Sequence, residues 1–185
     1  MSRTSRADVV EAAGRLFASR GYEATSMRDL GRELGLLGSS LYSHVGSKQD
    51  LLVEIVERGA RLFEASVEAA PDGPSGRDRL RALIAGHIDV VLDHRDEVRT
   101  FLNEARALDD EHRARVLDAR DRYEGAFRSA IAQGVGDGSI AADTDEVLAS
   151  IFLLSILNAL DRWYSESGRI GRGRLADEVL SFSAL

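Results

Sequence analysis

The sequence predicts an all-α fold of about nine helices, with a three-helix N-terminal domain at 1–47 and a larger helical body at 48–185. Three observations carry this. Apolar residues recur at helical spacing along nearly the whole chain. No alternation of apolar and polar residues survives for five positions, so no strand is predicted. The two prolines, Pro71 and Pro74, stand together in the one strong breaker cluster of the first half, between Ala70 and Gly76.

Taken in order, Val9, Val10, Ala13, Leu16 and Phe17 form one helical stripe that Gly21 closes. Ser26 is placed to cap a short second helix, with Asp29 three residues on. Gly35 marks a sharp turn that calls for a positive φ. Leu36 is its inward apolar residue, and Leu41 and Val45 anchor a third helix. Ser47 caps a long helix over Lys48–Ala69, with Leu51, Leu52, Ile55, Val56, Ala60 and Phe63 on one side. Further helices are predicted over 77–94, 96–108, 110–134, 143–164 and 174–182. Glycine-rich segments at 134–138 and 168–174 read as loops.

Composition sets bounds. With 185 residues, 44% hydrophobic and 30% charged, the chain can bury a core of its own. It has no cysteine, which removes disulfides, thiolate nucleophiles and cysteine metal sites. The N-terminus lacks an apolar signal core. The most apolar stretch, 147–160, is interrupted by Ser150, Ser155 and Asn158, whereas a membrane span needs roughly 20 apolar residues. A cytoplasmic protein with no membrane partner is expected. The net charge of −7 is unevenly spread. The first fifty residues hold seven Lys/Arg and six Asp/Glu; the rest hold seventeen and twenty-five. The difference hints that DNA phosphate contact belongs to the N-terminal part, although charge alone does not mark a DNA-binding protein.

The segment 26–45 has the parts of a helix-turn-helix: a capped short helix, a glycine turn and a second helix with a small polar outer side, Ser39, Ser40, Ser43 and His44. Small residues let a helix enter the major groove, and hydroxyls reach phosphates or base edges. The same spacing also fits two ordinary packed helices joined by a glycine turn. The context decides between them. Ala12-Ala-Gly-Arg-Leu-Phe17, Gly21-Tyr-Glu-Ala-Thr25, the segment 26–45 and Leu41-Tyr-Ser-His-Val-Gly-Ser-Lys-Gln-Asp-Leu51 resemble the TetR family of regulators over residues 6–55. The resemblance implies that Ser26, Met27 and Arg28 open the first helix of the motif against the DNA backbone. Gly38, Ser39 and Ser40 would begin the recognition helix. Tyr42 would donate to a phosphate, Ser43 and His44 would face the groove, and Lys48 would pair with a phosphate. Two positions depart from the family pattern. Gly14 and Gly31 stand where alanine is usual, each at a cost of about 0.5–1 kcal/mol of helix stability. Gly38 offers no side chain to the bases, so readout leans on Ser39, Ser43 and DNA shape.

A symmetric dimer reads two half-sites of a palindromic operator in double-stranded DNA. The helix around Ile151 to Leu160 is apolar almost all round and must be buried on every side. Together with the last helix (Leu175, Val179, Leu180, Phe182) it can serve a homodimer interface. A small-molecule effector would then act on the body. Candidate lining residues are Ile88, Phe101, Tyr123, Phe127 and Trp163, with polar groups at Asn103, Arg106, Asn158 and Arg162; His87, Ile84 and Leu92 stand among them. Phe101-Leu-Asn-Glu-Ala-Arg106 and Asn158-Ala-Leu-Asp-Arg-Trp-Tyr-Ser-Glu-Ser-Gly168 resemble segments of TetR-type repressors of fatty-acid and sterol catabolism. That resemblance implies an acyl-CoA effector, with Arg162 on a CoA phosphate, Trp163 in the channel, and Arg169, Arg172 and Arg174 as possible helpers. A drug-like ligand controlling an efflux pump is the alternative; a helical interaction protein that does not bind DNA is a more distant one. No cofactor, metal site or catalytic group is expected. His87 and His94 are seven apart with no carboxylate fixed between them, and no phosphate-binding glycine loop or serine elbow is present, so the chain does not read as an enzyme.

Overall fold

The structure is a computed structural model that describes residues 4–183, and the backbone alone at 38 and 39. It contains α1 (Arg6–Arg20), α2 (Met27–Leu34), α3 (Gly38–Tyr42), α4 (Lys48–Ala69), α5 (Gly76–Asp93), α6 (Arg95–Asn103), α7 (Asp110–Asp137), α8 (Glu146–Asn158), α9 (Leu160–Trp163) and α10 (Arg172–Phe182). A 3-10 turn, Ala105–Ala107, follows α6. No strand occurs among the described residues.

Local chemistry starts these helices. Ser5 and Asp8, and again Ser26 and Asp29, form reciprocal capping boxes on α1 and α2. The Ser47 hydroxyl accepts from the Asp50 N–H at 3.0 Å and that of Ser75 from the Asp78 N–H at 3.1 Å. Asp145 accepts from the N–H groups of Val147 and Leu148 at the head of α8. Gly35 adopts φ +65° and closes α2 in the left-handed region, as its place in the turn requires.

Three boundaries differ from the sequence reading. The predicted 134–138 loop is mostly helix: α7 runs on to Asp137, and the turn comes at Gly138 with φ +78°. The reason is tertiary. A Cβ on Gly76 would lie 2.0 Å from the Gly134 backbone nitrogen, so two glycines let the start of α5 rest directly on α7. The Asp137 carboxylate accepts from the Gly76 N–H at 2.7 Å and seals the contact. The helix predicted over 143–164 is divided at Ala159 into α8 and α9, and that over 96–108 ends at Asn103 and finishes as the 3-10 turn.

The helices form two compact units that interleave along the chain. The first holds residues 4–61 and His94–Leu117; the second holds Leu62–Asp93 and 118–183. The sequence-based boundary at 47/48 falls inside the first unit. There α1 packs on α2 and α6, burying Val9, Ala13, Leu16, Phe17, Leu30, Leu41, Val45, Leu52 and Ile55. Gly31 is buried and close to the turn; a Cβ there would meet the Leu36 carbonyl at 3.1 Å.

In the second unit α5 packs on α8, α9 and α10 around Leu80, Ile84, Ile88, Phe127, Ile131, Leu153 and Leu157. Two arginines fasten α5 to α10 through three charged pairs. Arg81 makes a bidentate contact with Asp177, and Arg172 reaches both Asp89 and Asp93. Such exposed pairs contribute at most about 1 kcal/mol each. The side of α8 bearing Ser150, Leu153 and Leu157 is buried. Leu148, Ile151 and Phe152 on its other side are exposed, as is Phe182 of α10.

The glycines give a stability test. Gly76→Ala forces backbone against backbone and should destabilise the protein by about 1–3 kcal/mol. Gly14→Ala should stabilise it by about 0.5–1 kcal/mol, because a Cβ there meets nothing within 4 Å. Urea denaturation of the two variants should move the midpoint in opposite directions.

Candidate functional site

The first unit gathers the expected nucleic-acid-binding residues. Ser26, Met27, Arg28, Gly31, Leu36 and Tyr42 line one surface groove between α2 and α3. Arg28 and Tyr42 are exposed there. The start of a helix faces this groove, and its oriented N–H groups suit a phosphate. Leu41 and Val45 are fully buried and hold α3 from beneath. Ser40 and Ser43 are exposed and His44 is half-buried. The Ser43 hydroxyl donates to the Ser40 carbonyl at 2.7 Å, so its outward lone pairs are what it offers a base. The Ser39 side chain lies outside the described residues, and Gly38 contributes backbone only.

Lys48 has a second occupation that its sequence position did not reveal. Its ammonium donates to the carbonyls of Tyr22 and Thr25 at 2.9 and 3.0 Å, and sits 4.0 Å from the centre of the Tyr22 ring. It therefore clamps the α1–α2 connection, with one of its three protons not used by these carbonyls. Gln49, which sequence reasoning passed over, accepts from the Tyr22 hydroxyl at 2.8 Å and donates to the Ala107 carbonyl at 3.2 Å. Arg6 donates to the His44 carbonyl at 2.8 Å and pairs with Glu54, fixing the end of the recognition segment. Nothing in the composition singles out Gln49 or Arg6; each is visible only once the chain folds back on itself.

The candidate effector residues fall into different units. Phe101 is buried in the first, where Gly59 admits its ring; a Cβ at 59 would lie 2.8 Å from the Phe101 Cβ. Asn103 and Arg106 are exposed in that unit, and the Asn103 amide donates to the Arg99 carbonyl. Ile88, Tyr123, Phe127, Asn158, Arg162 and Trp163 belong to the second. Its interior holds an aromatic cluster: Phe63, His87, Tyr123 and Phe127, with ring centres 5.0–6.3 Å apart. His87 is 1% exposed. Its Nδ1 lies 3.0 Å from the Tyr123 hydroxyl, while its Nε2 makes no hydrogen bond of normal geometry. Burial pushes the His87 pKa down to about 3, and the neighbouring Asn158 carboxamide only partly offsets this. Burial also pushes the Tyr123 phenol well above its usual range. Arg162 and Trp163 stand on the surface just beyond α8, and Arg162 has a single loose ion pair, 3.9 Å from Asp161. Of the suggested basic helpers, Arg172 is committed to Asp89 and Asp93, and Arg174 pairs with Glu178. No group of three metal-ligating side chains occurs among the described residues. No helix among them is long and apolar enough to cross a membrane.

A helix-turn-helix with a polar groove, followed by a helical body with an apolar interior, defines a two-part transcriptional regulator. Comparison with known proteins gives its family. Residues 9–55 match the model of bacterial regulatory proteins of the tetR family, and residues 73–184 match the tetracyclin repressor-like C-terminal domain. The chain belongs to the TetR family. It is 30% identical over 179 residues to the HTH-type transcriptional repressor KstR2 of Rhodococcus jostii (strain RHA1), covering 95% of this chain and 87% of that protein. Among solved structures it is similar to the TetR family transcriptional regulator PfmR of Thermus thermophilus, with TM-score 0.83, 31% identity and 95% and 96% of the two chains covered. It is also similar to AibR in complex with isovaleryl coenzyme A and operator DNA, with TM-score 0.81, 26% identity and 96% of each chain covered.

The buried histidine gives a pH dependence. Its folded pKa is depressed from 6.5 to about 3, so between those values the unfolded chain binds a proton that the folded one refuses. The stability it allows is complete above pH 6.5 and falls as pH drops through that window. Chemical denaturation should show the protein roughly 2 kcal/mol less stable at pH 5 than at pH 7. Most of that difference should vanish in His87→Phe. An unchanged pH slope in the variant would mean that His87 is not held neutral.

Proposed function

We propose that the protein is a ligand-released repressor that binds palindromic operator DNA as a homodimer and is discharged by an acyl-CoA thioester. The observation that carries the DNA half is the groove shared by Ser26, Met27, Arg28 and Tyr42. The 1–47 segment is its DNA-binding part and 48–185 its regulatory part. Exposed Leu148, Ile151, Phe152 and Phe182 support dimerisation through α8 and α10, because an apolar face of this kind is stabilised by a self-complementary partner. AibR, whose complex contains both isovaleryl coenzyme A and operator DNA, supports the effector class. On this reading Ile88, Tyr123, Phe127 and Asn158 take the acyl part, and Arg162 and Trp163 meet the nucleotide. Phe101 is pinned against Gly59, and Asn103 and Arg106 are surface residues of the first unit, so we leave these three outside the site. The protein acts in the cytoplasm, and it performs no catalysis.

Release requires a ligand that prefers a conformation with lower DNA affinity. The proposed lever is α4, which supplies residues 48–61 to the first unit and 62–69 to the second.

Light scattering should give twice the chain mass, and Phe152→Asp, which places a charge in the apolar face, should give monomer that no longer binds operator. Operator affinity should fall steeply with salt. Tyr42→Phe and Lys48→Ala should weaken binding to all sequences alike, with Lys48→Ala reducing the logarithmic salt slope by about 0.9. Lys48→Ala should also lower the melting temperature, which Tyr42→Phe should not. A salt slope that stays at the wild-type value removes the Lys48 phosphate contact.

The effector is tested by calorimetry with isovaleryl-, octanoyl-, palmitoyl- and cholyl-CoA beside the free acids. At least one thioester should bind and release operator in a gel shift, the free acid far less. Arg162→Ala should lose the response and keep operator binding. Response to none of the thioesters, or an equal response to the free acid, overturns the acyl-CoA assignment.

A further inference from the structure

Leu37 is a residue of the helix-turn-helix whose side chain the fold does not use. It is 79% exposed, more than any other large apolar side chain of the first unit among the described residues. An exposed leucine by itself means little; its position is what counts. Leu37 occupies the cap position of α3, with φ −71° and ψ 149° and no side-chain bond to the helix. Serine, threonine, asparagine and aspartate are favoured at such a position because their oxygens accept from the first N–H groups, and leucine is among the poorest choices. The same chain places serine or aspartate at the cap of α1, α2 and α8. At α3 it gives up the cap and leaves an isobutyl group in water, two losses with no gain inside the protein.

The backbone of Leu37 is nevertheless held firmly. Its carbonyl accepts from the N–H groups of Ser40 and Leu41 at 3.0 and 3.2 Å, and Leu41 is fully buried. On the other side the Leu36 N–H donates to the Gly31 carbonyl at 2.8 Å and closes the turn. Leu36 lines the groove with Arg28 and Tyr42. Ser40, three positions on and exposed, lies on the same edge of α3 as Leu37. Leu37 is thus an apolar group presented from a fixed backbone where the recognition helix begins. Its neighbours there are poor in donors: Gly38 has no side chain, and the Ser43 proton goes to the Ser40 carbonyl.

In the major groove every base pair offers hydrogen-bonding atoms, and the thymine C5-methyl is the one methyl group among them. A leucine side chain has nothing to hydrogen-bond with and matches that group. Resting on the operator-binding reading above, we propose that Leu37 is a specificity residue that packs on a thymine methyl in each half-site of the operator. That base is read by the exclusion of water between two apolar groups, beside the polar contacts made by α3.

The operator is first obtained by selecting duplexes from a random pool of double-stranded DNA on the full chain. In the enriched duplex each thymine is then replaced singly by deoxyuridine, which removes the methyl and leaves every hydrogen-bonding atom in place. Fluorescence anisotropy at constant salt should show a position in each half-site where the replacement weakens binding about four-fold, the share of one buried methyl. In Leu37→Ala, and separately in Leu37→Ser, thymine and deoxyuridine at that position should bind within about 1.5-fold of each other. Leu37→Ser also restores a capping hydroxyl and should raise the melting temperature by a few degrees. Discrimination is then lost from a fold that is more stable, not damaged. An operator insensitive to every replacement, or a thymine preference that both variants keep whether or not their overall affinity falls, overturns the inference and leaves the operator-binding reading standing. A lower melting temperature in Leu37→Ser overturns it as well, because the side chain then serves the fold. Failure to enrich any duplex overturns both.

Discussion

The first turn of α4 is the point on which the first unit depends. Lys48 and Gln49 are neighbours in sequence and tie down different pieces of chain: the ammonium holds the carbonyls of Tyr22 and Thr25, and the carboxamide joins Tyr22 to Ala107. Carbonyls in a connection between helices need donors once they leave water. Thr25 immediately precedes Ser26, the cap of α2, so the clamp sets where α2 begins and hence where the groove with Tyr42 opens. A lysine in that position fixes where α2 begins, and on the proposed reading its remaining proton serves the DNA backbone. Phosphate contacts position and base contacts specify; on that reading Lys48 positions the motif from inside the protein as well.

The second dependence is the composition of α8. Its sequence is apolar at nearly every turn, yet only the side with Leu153 and Leu157 meets its own unit. The two serines that interrupt it do not make it polar. Ser150 donates to the Val147 carbonyl at 2.8 Å and Ser155 to the Ile151 carbonyl at 2.7 Å, so both hydroxyls are satisfied within the helix. A helix prepared this way can be covered on its second side without stranding a donor. That is what a close, dry contact with another copy requires, and it explains why serine is tolerated in a segment otherwise built of leucine, isoleucine and phenylalanine.

What the sequence made legible was whatever local chemistry decides. The Ser26–Asp29 and Ser47 caps, the left-handed Gly35 and the inward Leu41 and Val45 are each set by residues within a few positions of one another. The helix-turn-helix residues come from one continuous stretch, so folding brings together what the sequence already placed side by side. Tertiary choices were hidden. Two glycines predict a loop at 134–138 until Gly76 is seen resting on Gly134. Periodicity shows that a helix has an apolar face but not what that face meets, which is why α6 was grouped with the body although it packs on α1. The candidate effector residues suffer the same blindness: Phe101 and Phe127 look alike as aromatics on helices, and the fold puts them in separate units. His87 stood out only as a polar residue among apolar ones; its unsatisfied nitrogen is a property of the packed interior.

Electrostatics raise an apparent difficulty, because both proposed ligands are anions and the chain carries −7. The resolution is one of range. At physiological ionic strength charges farther apart than about 8 Å are largely screened, so the net charge of a chain does not by itself decide whether a phosphate binds. Within that distance the local groups decide, and they are distributed unequally. Arg81 and Arg172 are held by Asp177, Asp89 and Asp93, and serve to join α5 to α10. Arg28 and Arg162 stand exposed instead, one beside Tyr42 in the groove and the other just past the end of α8. Committed cations build the fold, and on the proposed reading Arg28 and Arg162 are the ones that meet an anion. An acidic protein can thus bind DNA with a small number of well-placed donors, and because each phosphate contact carries a large share of the affinity, the loss of a few is enough for an effector to tip the balance.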